Sequence, residues 1–273
     1  MIIAVSVLGR IYAKSYRKGD KVEIIAIVNR KGGVAKTATA HALGAGLARL
    51  KKKVLFIDLD SQTNLSYELQ ADYSKPNIMD VLTGEIETVK AIQKTPQGDF
   101  IAGTEALAAA DTEIEGTGKE YRLKEALEGL KGYDYIIIDT PAALGTLTVN
   151  ALTACNSVIV PVQAEVHSLQ GIGQLSKTIE PVKKYCNKDL YIRGILITRY
   201  NGRAVISQDM QSNLQEVAKK LKTRLYSTPI RECISVKEAQ ARQTDIFSYA
   251  PRSNAAKDYE AFIKEFMEGK RKK

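Results

Sequence analysis

The run Ile24-Ile25-Ala26-Ile27-Val28-Asn29-Arg30-Lys31-Gly32-Gly33-Val34-Ala35-Lys36-Thr37-Ala38 constrains this chain more than any other stretch: an apolar strand breaks into a two-glycine turn and opens at once into a helix. Paired glycines let the backbone curl closely around an anion with no Cβ in the way. A helix N-terminus adds unpaired N–H groups and a partial positive charge. The arrangement is phosphate-binding architecture, in which Lys36 is placed to reach β- and γ-phosphates and the Thr37 hydroxyl to meet Mg2+. The generic spacing of such a loop, G-x-x-x-x-G-K-[ST], is not met, because Arg30 and Ala35 occupy both glycine positions. If the backbone at Ala35 must be left-handed, its methyl group costs on the order of 1 kcal/mol, and nucleotide affinity is weakened.

Two further strands deliver acids to their C-terminal ends. Val54-Leu55-Phe56-Ile57-Asp58-Leu59-Asp60 carries two carboxylates on one face, since strand side chains alternate with period two. In an open parallel sheet that end is where ligands sit. Tyr133-Asp134-Tyr135-Ile136-Ile137-Ile138-Asp139-Thr140-Pro141 delivers a single aspartate, the arrangement in which Asp139 holds Mg2+, often through water, and Pro141 turns the chain. Ser157 to Glu165 reads as another buried strand, with Pro161 as its exit.

Together these boxes resemble the ParA/MinD family of dimerising ATPases. Lys31-Gly32-Gly33-Val34-x-Lys36-Thr37 is similar to its deviant Walker A box, K-G-G-V-G-K-T. Asp58 to Asn64 is similar to D-x-D-P-Q-x-N, with Ser61 for the usual proline and Thr63 for a common glycine. Asp139 to Leu152, Val158 to Glu165 and Tyr249-Ala250-Pro251-Arg252-Ser253 match later segments, so the resemblance runs from about Glu23 to Phe266. It implies an ATP cradle of Lys31, Gly32, Gly33, Val34, Ala35, Lys36, Thr37 and Ala38, and Mg2+ at Thr37, Asp58 and Asp139. It implies catalytic roles for Lys31, Lys36 and Asp60, with Asp60 orienting the attacking water and Lys31 crossing a homodimer to contact the partner's ATP. The ParA branch implies non-specific DNA binding, for which Arg203 and Arg231 match most closely. It also implies a ParB-like partner that stimulates slow hydrolysis, and a cytoplasmic, nucleoid-associated protein.

The 273 residues show strands alternating with helical patterns and no hairpin signal or linker. The expected fold is α/β of the P-loop NTPase kind, a doubly wound and mostly parallel sheet covered by helices on both faces. Residues 22–269 are expected to form one ATPase domain, with an N-terminal arm over 1–21 and a basic tail over 270–273. A strand is expected at Phe100 to Gly103 and a last one at Leu225 to Ile230. The net charge of +9 suits an anionic polymer or surface.

Other chemistry finds little support. Cys155, Cys186 and Cys233 lie far apart, which fits a reducing compartment and offers neither a disulfide framework nor a zinc site. No cysteine falls between Ala142 and Thr148, where iron–sulfur relatives of the fold carry one. His41 and His167 are read as packing or solvent-facing. Phe262, Ile263, Phe266 and Met267 form an apolar helical stripe before a basic end, which leaves a MinD-like membrane ATPase open as an alternative, with membrane binding the less expected outcome. A second alternative is a weakly active nucleotide-binding scaffold, because of Ala35.

Overall fold

The computed structural model describes residues 22–202 and 205–269, with the backbone alone at 166, 167, 170 and 205–208. The N-terminal arm, Arg203, the His167 side chain and the basic tail lie outside what is described. Seven strands form one sheet: β1 (Glu23–Ile27), β2 (Val54–Asp58), β3 (Ile92–Thr95), β4 (Gly98–Ile101), β5 (Tyr135–Asp139), β6 (Ser157–Gln163) and β7 (Tyr191–Thr198). Their order is β3-β4-β2-β5-β1-β6-β7, and only the β3–β4 pair is antiparallel.

The apolar strands are buried on both faces because helices cover both. Alternate residues serve opposite layers: Ala26, Ile136 and Ile138 join one core, while Ile25, Ile27, Tyr135 and Ile137 join the other. The helix after the glycine turn, α1 (Lys36–Arg49), lies in the second layer with its residues 38–47 all buried. Its small residues permit that depth. A Cβ on Gly44 would fall 2.1 Å from Phe56 Cε1, and one on Gly46 would fall 2.2 Å from Ile263 Cδ1.

The chain continues through α2 (Asn64–Glu68), α3 (Ile78–Leu82), α4 (Ala110–Glu113), α5 (Arg122–Leu127), α6 (Thr146–Ala154), α7 (Val166–Tyr185), α8 (Val205–Lys220), α9 (Ile234–Ala241), α10 (Ile246–Tyr249) and α11 (Asn254–Glu268). Ser253 caps α11, accepting from the Ala256 N–H at 3.1 Å. The Phe262, Ile263, Phe266 and Met267 stripe of α11 is buried in the same layer as α1. An interfacial helix needs its apolar face free, and this one is used for packing. No helix among the described residues is long and apolar enough to cross a membrane.

Two expectations need correction. The sequence shows no hairpin, yet β3 and β4 form one around Pro96 and Gln97, pairing Ile92 with Ile101 and Thr95 with Gly98. Leu225 to Ile230 is not a strand: this part of the chain makes only isolated bridges, Ile195 to Leu225 and Tyr200 to Arg231. Pro229 removes one N–H donor inside that short run, which breaks any ladder there.

Candidate functional site

The glycine turn leaves β1 at the C-terminal edge of the sheet, between β5 and β6, and its backbone is anchored from outside. Gln163 Nε2 donates to the Gly33 carbonyl at 3.0 Å, and Thr198 Oγ1 donates to that of Val34 at 3.0 Å. Asn29 accepts from the Lys31 N–H at 3.0 Å and donates to the Pro161 carbonyl at 2.6 Å. With its carbonyls engaged by β6 and β7, the loop is free to turn its amides towards an anion. Gln163, Thr198 and Asn29 are contributions that the sequence reading missed, the first two because each acts from a strand end remote in the chain, and Asn29 because its bond to the Pro161 carbonyl crosses to another strand.

Two residues in glycine places keep a glycine-like backbone. Ala35 stands at φ 61° and ψ 38°, immediately before α1, and Thr63 at φ 52° and ψ 26°, immediately before α2. For an L-residue the left-handed region costs roughly 1–2 kcal/mol, and a β-branched side chain there is unusual. The loop shape is thus retained against its own residue types. Ala35→Gly and Thr63→Gly are each expected to raise unfolding stability by about 1 kcal/mol, additively, as measured by denaturant midpoints at unchanged slope.

A cavity of about 690 Å3 opens over the turn, lined by Gly32, Gly33, Ala35, Lys36, Thr37, Ala38 and Asp60 on one side and by Arg231, Glu232, Val236 and Gln240 on another. That volume suits a nucleotide-sized ligand. Lys36 is buried at 7 % exposure. Desolvation lowers its pKa, opposed by the charges of Asp139 and Asp60. Asp60 sits half-buried at the cavity and accepts from the Gln62 N–H at 3.1 Å.

Asp58 and Asp139 lie side by side at the ends of β2 and β5, in direct register. Asp58 is fully engaged by its own chain, accepting from Ser66 N at 2.9 Å, Ser66 Oγ at 2.7 Å and Asp60 N at 3.1 Å. Burial pushes its pKa up to about 6 against those hydrogen bonds, with the Asp60 charge adding to the rise. Both Asp139 oxygens are buried without a hydrogen-bond partner. Burial first, and then the Asp58 charge, drive its pKa well above the usual carboxylate range, opposed by the nearby Thr37 hydroxyl and Lys36 amine. An orphaned buried carboxylate beside a threonine hydroxyl and an open cavity fits a bound cation. Among the described residues no group of three or more His, Cys, Asp and Glu is preformed to hold a metal. Mg2+ needs none, since one or two carboxylates, waters and ligand phosphates satisfy it.

Lys31 is not among the residues that line the cavity, and its amine is paired with Glu165 of the same chain. Of the basic residues matched to DNA binding, Arg231 lines the cavity and forms a two-pronged pair with Asp258, Nε to Oδ2 at 2.9 Å and Nη2 to Oδ1 at 2.6 Å. Arg203 lies outside the described residues. Arg193, another late arginine, is buried against Glu23 and the Phe266 carbonyl, so it belongs to no surface.

Residues 22–192 match a family model described as an AAA domain. The chain is 41 % identical over 250 residues to the sporulation initiation inhibitor protein Soj of Bacillus subtilis strain 168, covering 89 % of this chain and 97 % of that protein. It is 34 % identical to the chromosome partitioning protein ParA of Caulobacter vibrioides, covering 92 % and 96 %. Among solved structures, one described as cobyrinic acid a,c-diamide synthase from Mycobacterium smegmatis, with bound ATP analog and magnesium, superposes with a TM-score of 0.79. It shares 33 % identity and covers 92 % of this chain and 97 % of its own.

Proposed function

The chain belongs to the AAA-domain family and is a ParA/Soj-type partitioning ATPase, and from this premise we propose that it binds MgATP as a homodimer, coats DNA without sequence preference and releases it on hydrolysis. The observation that carries the reading is the convergence of Lys36, Thr37 and Asp60 on one cavity at the C-terminal edge of the sheet, with the unpartnered Asp139 buried close enough to feel all three. In this reading the Gly32 to Ala38 backbone cradles the phosphates and Lys36 reaches the β- and γ-oxygens. Thr37 and Asp139 hold Mg2+, which neutralises developing charge on the phosphates when bound. Asp58, in register with Asp139 on the neighbouring strand and held by Ser66 and the Asp60 amide, adds a second negative charge to the metal's surroundings.

Asp60 orients the attacking water. Positioning and charge stabilisation are most of what phosphoryl transfer asks of a protein. Intrinsic turnover is slow, and a ParB-like partner raises it. Lys31 exchanges Glu165 for a phosphate of the partner's nucleotide, a cheap exchange, because an exposed ion pair is worth about 0–1 kcal/mol. The γ-phosphate therefore favours the dimer, and its loss releases DNA. Ala35 at φ 61° favours a second reading, a nucleotide-binding scaffold with little turnover.

The test is light scattering and DNA co-sedimentation of the full chain with Mg2+ and a nonhydrolysable ATP analogue. The expected result is a dimer that pellets with DNA, and a Lys31→Ala variant that stays monomeric and unbound. Liposome binding undiminished by removing Arg203 and Arg231 would overturn the DNA reading. Turnover that stays at zero with DNA and partner present, and appears only in Ala35→Gly, would establish the scaffold instead.

A further inference from the structure

The short helix α2 follows directly from the Asp60 turn, and every polar group it turns inward is tied to a different element. Thr63 N donates to the Asp60 carbonyl at 2.9 Å, so the turn and the helix move as one. Ser66 holds Asp58 of β2. Glu68, buried at 2 % exposure, takes His41 Nδ1 of α1 at 2.6 Å on Oε2 and Gln240 Nε2 of α9 at 2.7 Å on Oε1. Just past α2, Gln70 Nε2 donates to the Gln243 carbonyl at 3.1 Å, and Gln243 Nε2 returns a bond to the Tyr67 carbonyl at 3.0 Å.

His41 is as enclosed as Glu68. Its Nε2 meets Gln97 Oε1 in the β3–β4 turn, and its ring stands edge-on to Phe56 of β2. Both ring nitrogens face oxygens, and only the imidazolium donates from both at once. The charged groups facing it are Glu68 from α2 and Asp245, which caps α10. Its other neighbours include Gln97 and Phe56, and, across a residual space of about 20 Å3, Gln240 and the Tyr259 phenol, which burial keeps neutral. Desolvation works against the cation, but the Glu68 and Gln97 hydrogen bonds and the two acidic charges outweigh it, so the pKa is raised.

We propose that Glu68, clamped by His41 and Gln240, is a positioning residue of the nucleotide site. It locks the Asp60 turn in register with both the P-loop helix and the α9 wall of the cavity, and so sets the preference for ATP over ADP. The proposal rests on the nucleotide reading above. The clamp belongs to the cavity wall: Glu68 and Gln240 both line the cavity with Asp60, while His41 does not. Its effect is confined to the wall that the γ-phosphate meets, the Asp60 turn, and to α9, which supplies Val236 and Gln240 to the opposite wall. A coupling of this kind between two walls is typically worth a 5- to 150-fold change in affinity.

The experiment compares binding of ADP and of a nonhydrolysable ATP analogue, each with Mg2+, to the full chain and to Glu68→Gln, Gln240→Met and His41→Gln. The expected result is that Glu68→Gln cuts the preference for the ATP analogue by about tenfold while ADP affinity stays within about twofold. Gln240→Met, which removes one arm at a half-buried position and keeps the fold, cuts the preference by about threefold. The imidazolium exists below its raised pKa, so the wild-type preference declines as pH rises through that value, and His41→Gln removes this dependence. Folded Glu68→Gln and Gln240→Met with an unchanged ratio overturn the proposal, as do equal losses for both nucleotides, the mark of a merely structural role. A pH dependence shared by wild type and His41→Gln overturns the part given to His41. A wild-type chain that binds neither nucleotide overturns the site reading itself, and the clamp with it.

Discussion

Lys36→Ala is expected to lower affinity for the magnesium complex of an ATP analogue by at least ~100-fold and to abolish turnover, the size of loss that follows removal of one preorganised charge donor in a water-excluded site. The amine is buried, and desolvation already lowers its pKa, so nothing solvates a bound phosphate in its place. The same change strips the countercharge from Asp139 and Asp60, so the nucleotide-free variant is expected to melt below wild type. Lys36→Arg is not expected to rescue binding, because a planar guanidinium does not fit a space shaped for a slender ammonium stem. Calorimetric titration and a phosphate-release assay on the same preparations check each part. A Lys36→Ala chain that binds the analogue as wild type does would remove the phosphate role from the glycine turn.

Asp139→Asn is expected to move activity and stability in opposite directions. Its two carboxylate oxygens are buried, without hydrogen-bond partners, beside Asp58, an arrangement that costs free energy until a cation arrives. A neutral amide of the same shape relieves about 2 kcal/mol, or roughly 5 °C in the melting temperature of the nucleotide-free protein. The variant loses Mg2+-dependent hydrolysis, and adding Mg2+ with an ATP analogue no longer raises its melting point as it does in wild type. Thermal melts with and without the pair of ligands, run beside turnover, read both signs. A variant that melts lower than wild type without ligand would show that the carboxylate has a partner in solution.

Much of this site is legible in the chain because its parts are local. The strand, turn and helix from Ile24 to Arg49 follow from an apolar run, two glycines and an alanine-rich sequence, and the Asp58 and Asp139 strands declare themselves by apolar runs that end in acid. The substituted glycines at Ala35 and Thr63 were visible as departures, while their left-handed geometry needed coordinates. The β3–β4 hairpin was hidden because each strand is four residues long and its turn carries Pro96, so neither period nor turn type stands out. Leu225 to Ile230 misled for the opposite reason, a run with strand-like residues whose partners are reached at single points only. The His41, Glu68 and Gln240 clamp joins residues up to 199 positions apart by its outer members, and no pattern in a linear chain marks such a meeting. Arg231 likewise reads as free charge until Asp258 is seen beneath it.

The closing helix α11 sets the order in which the molecule can be completed. Phe262 and Phe266 seal the same layer that houses α1, and Ile263 abuts Gly46 within it. A nascent chain on the ribosome has therefore made its phosphate grip long before it has made the lid over the helix that supports it. Until Asn254–Glu268 emerges, that grip rests on an uncovered greasy surface, so ligand capture becomes a late event of biogenesis that waits on a helix far downstream of the turn it supports.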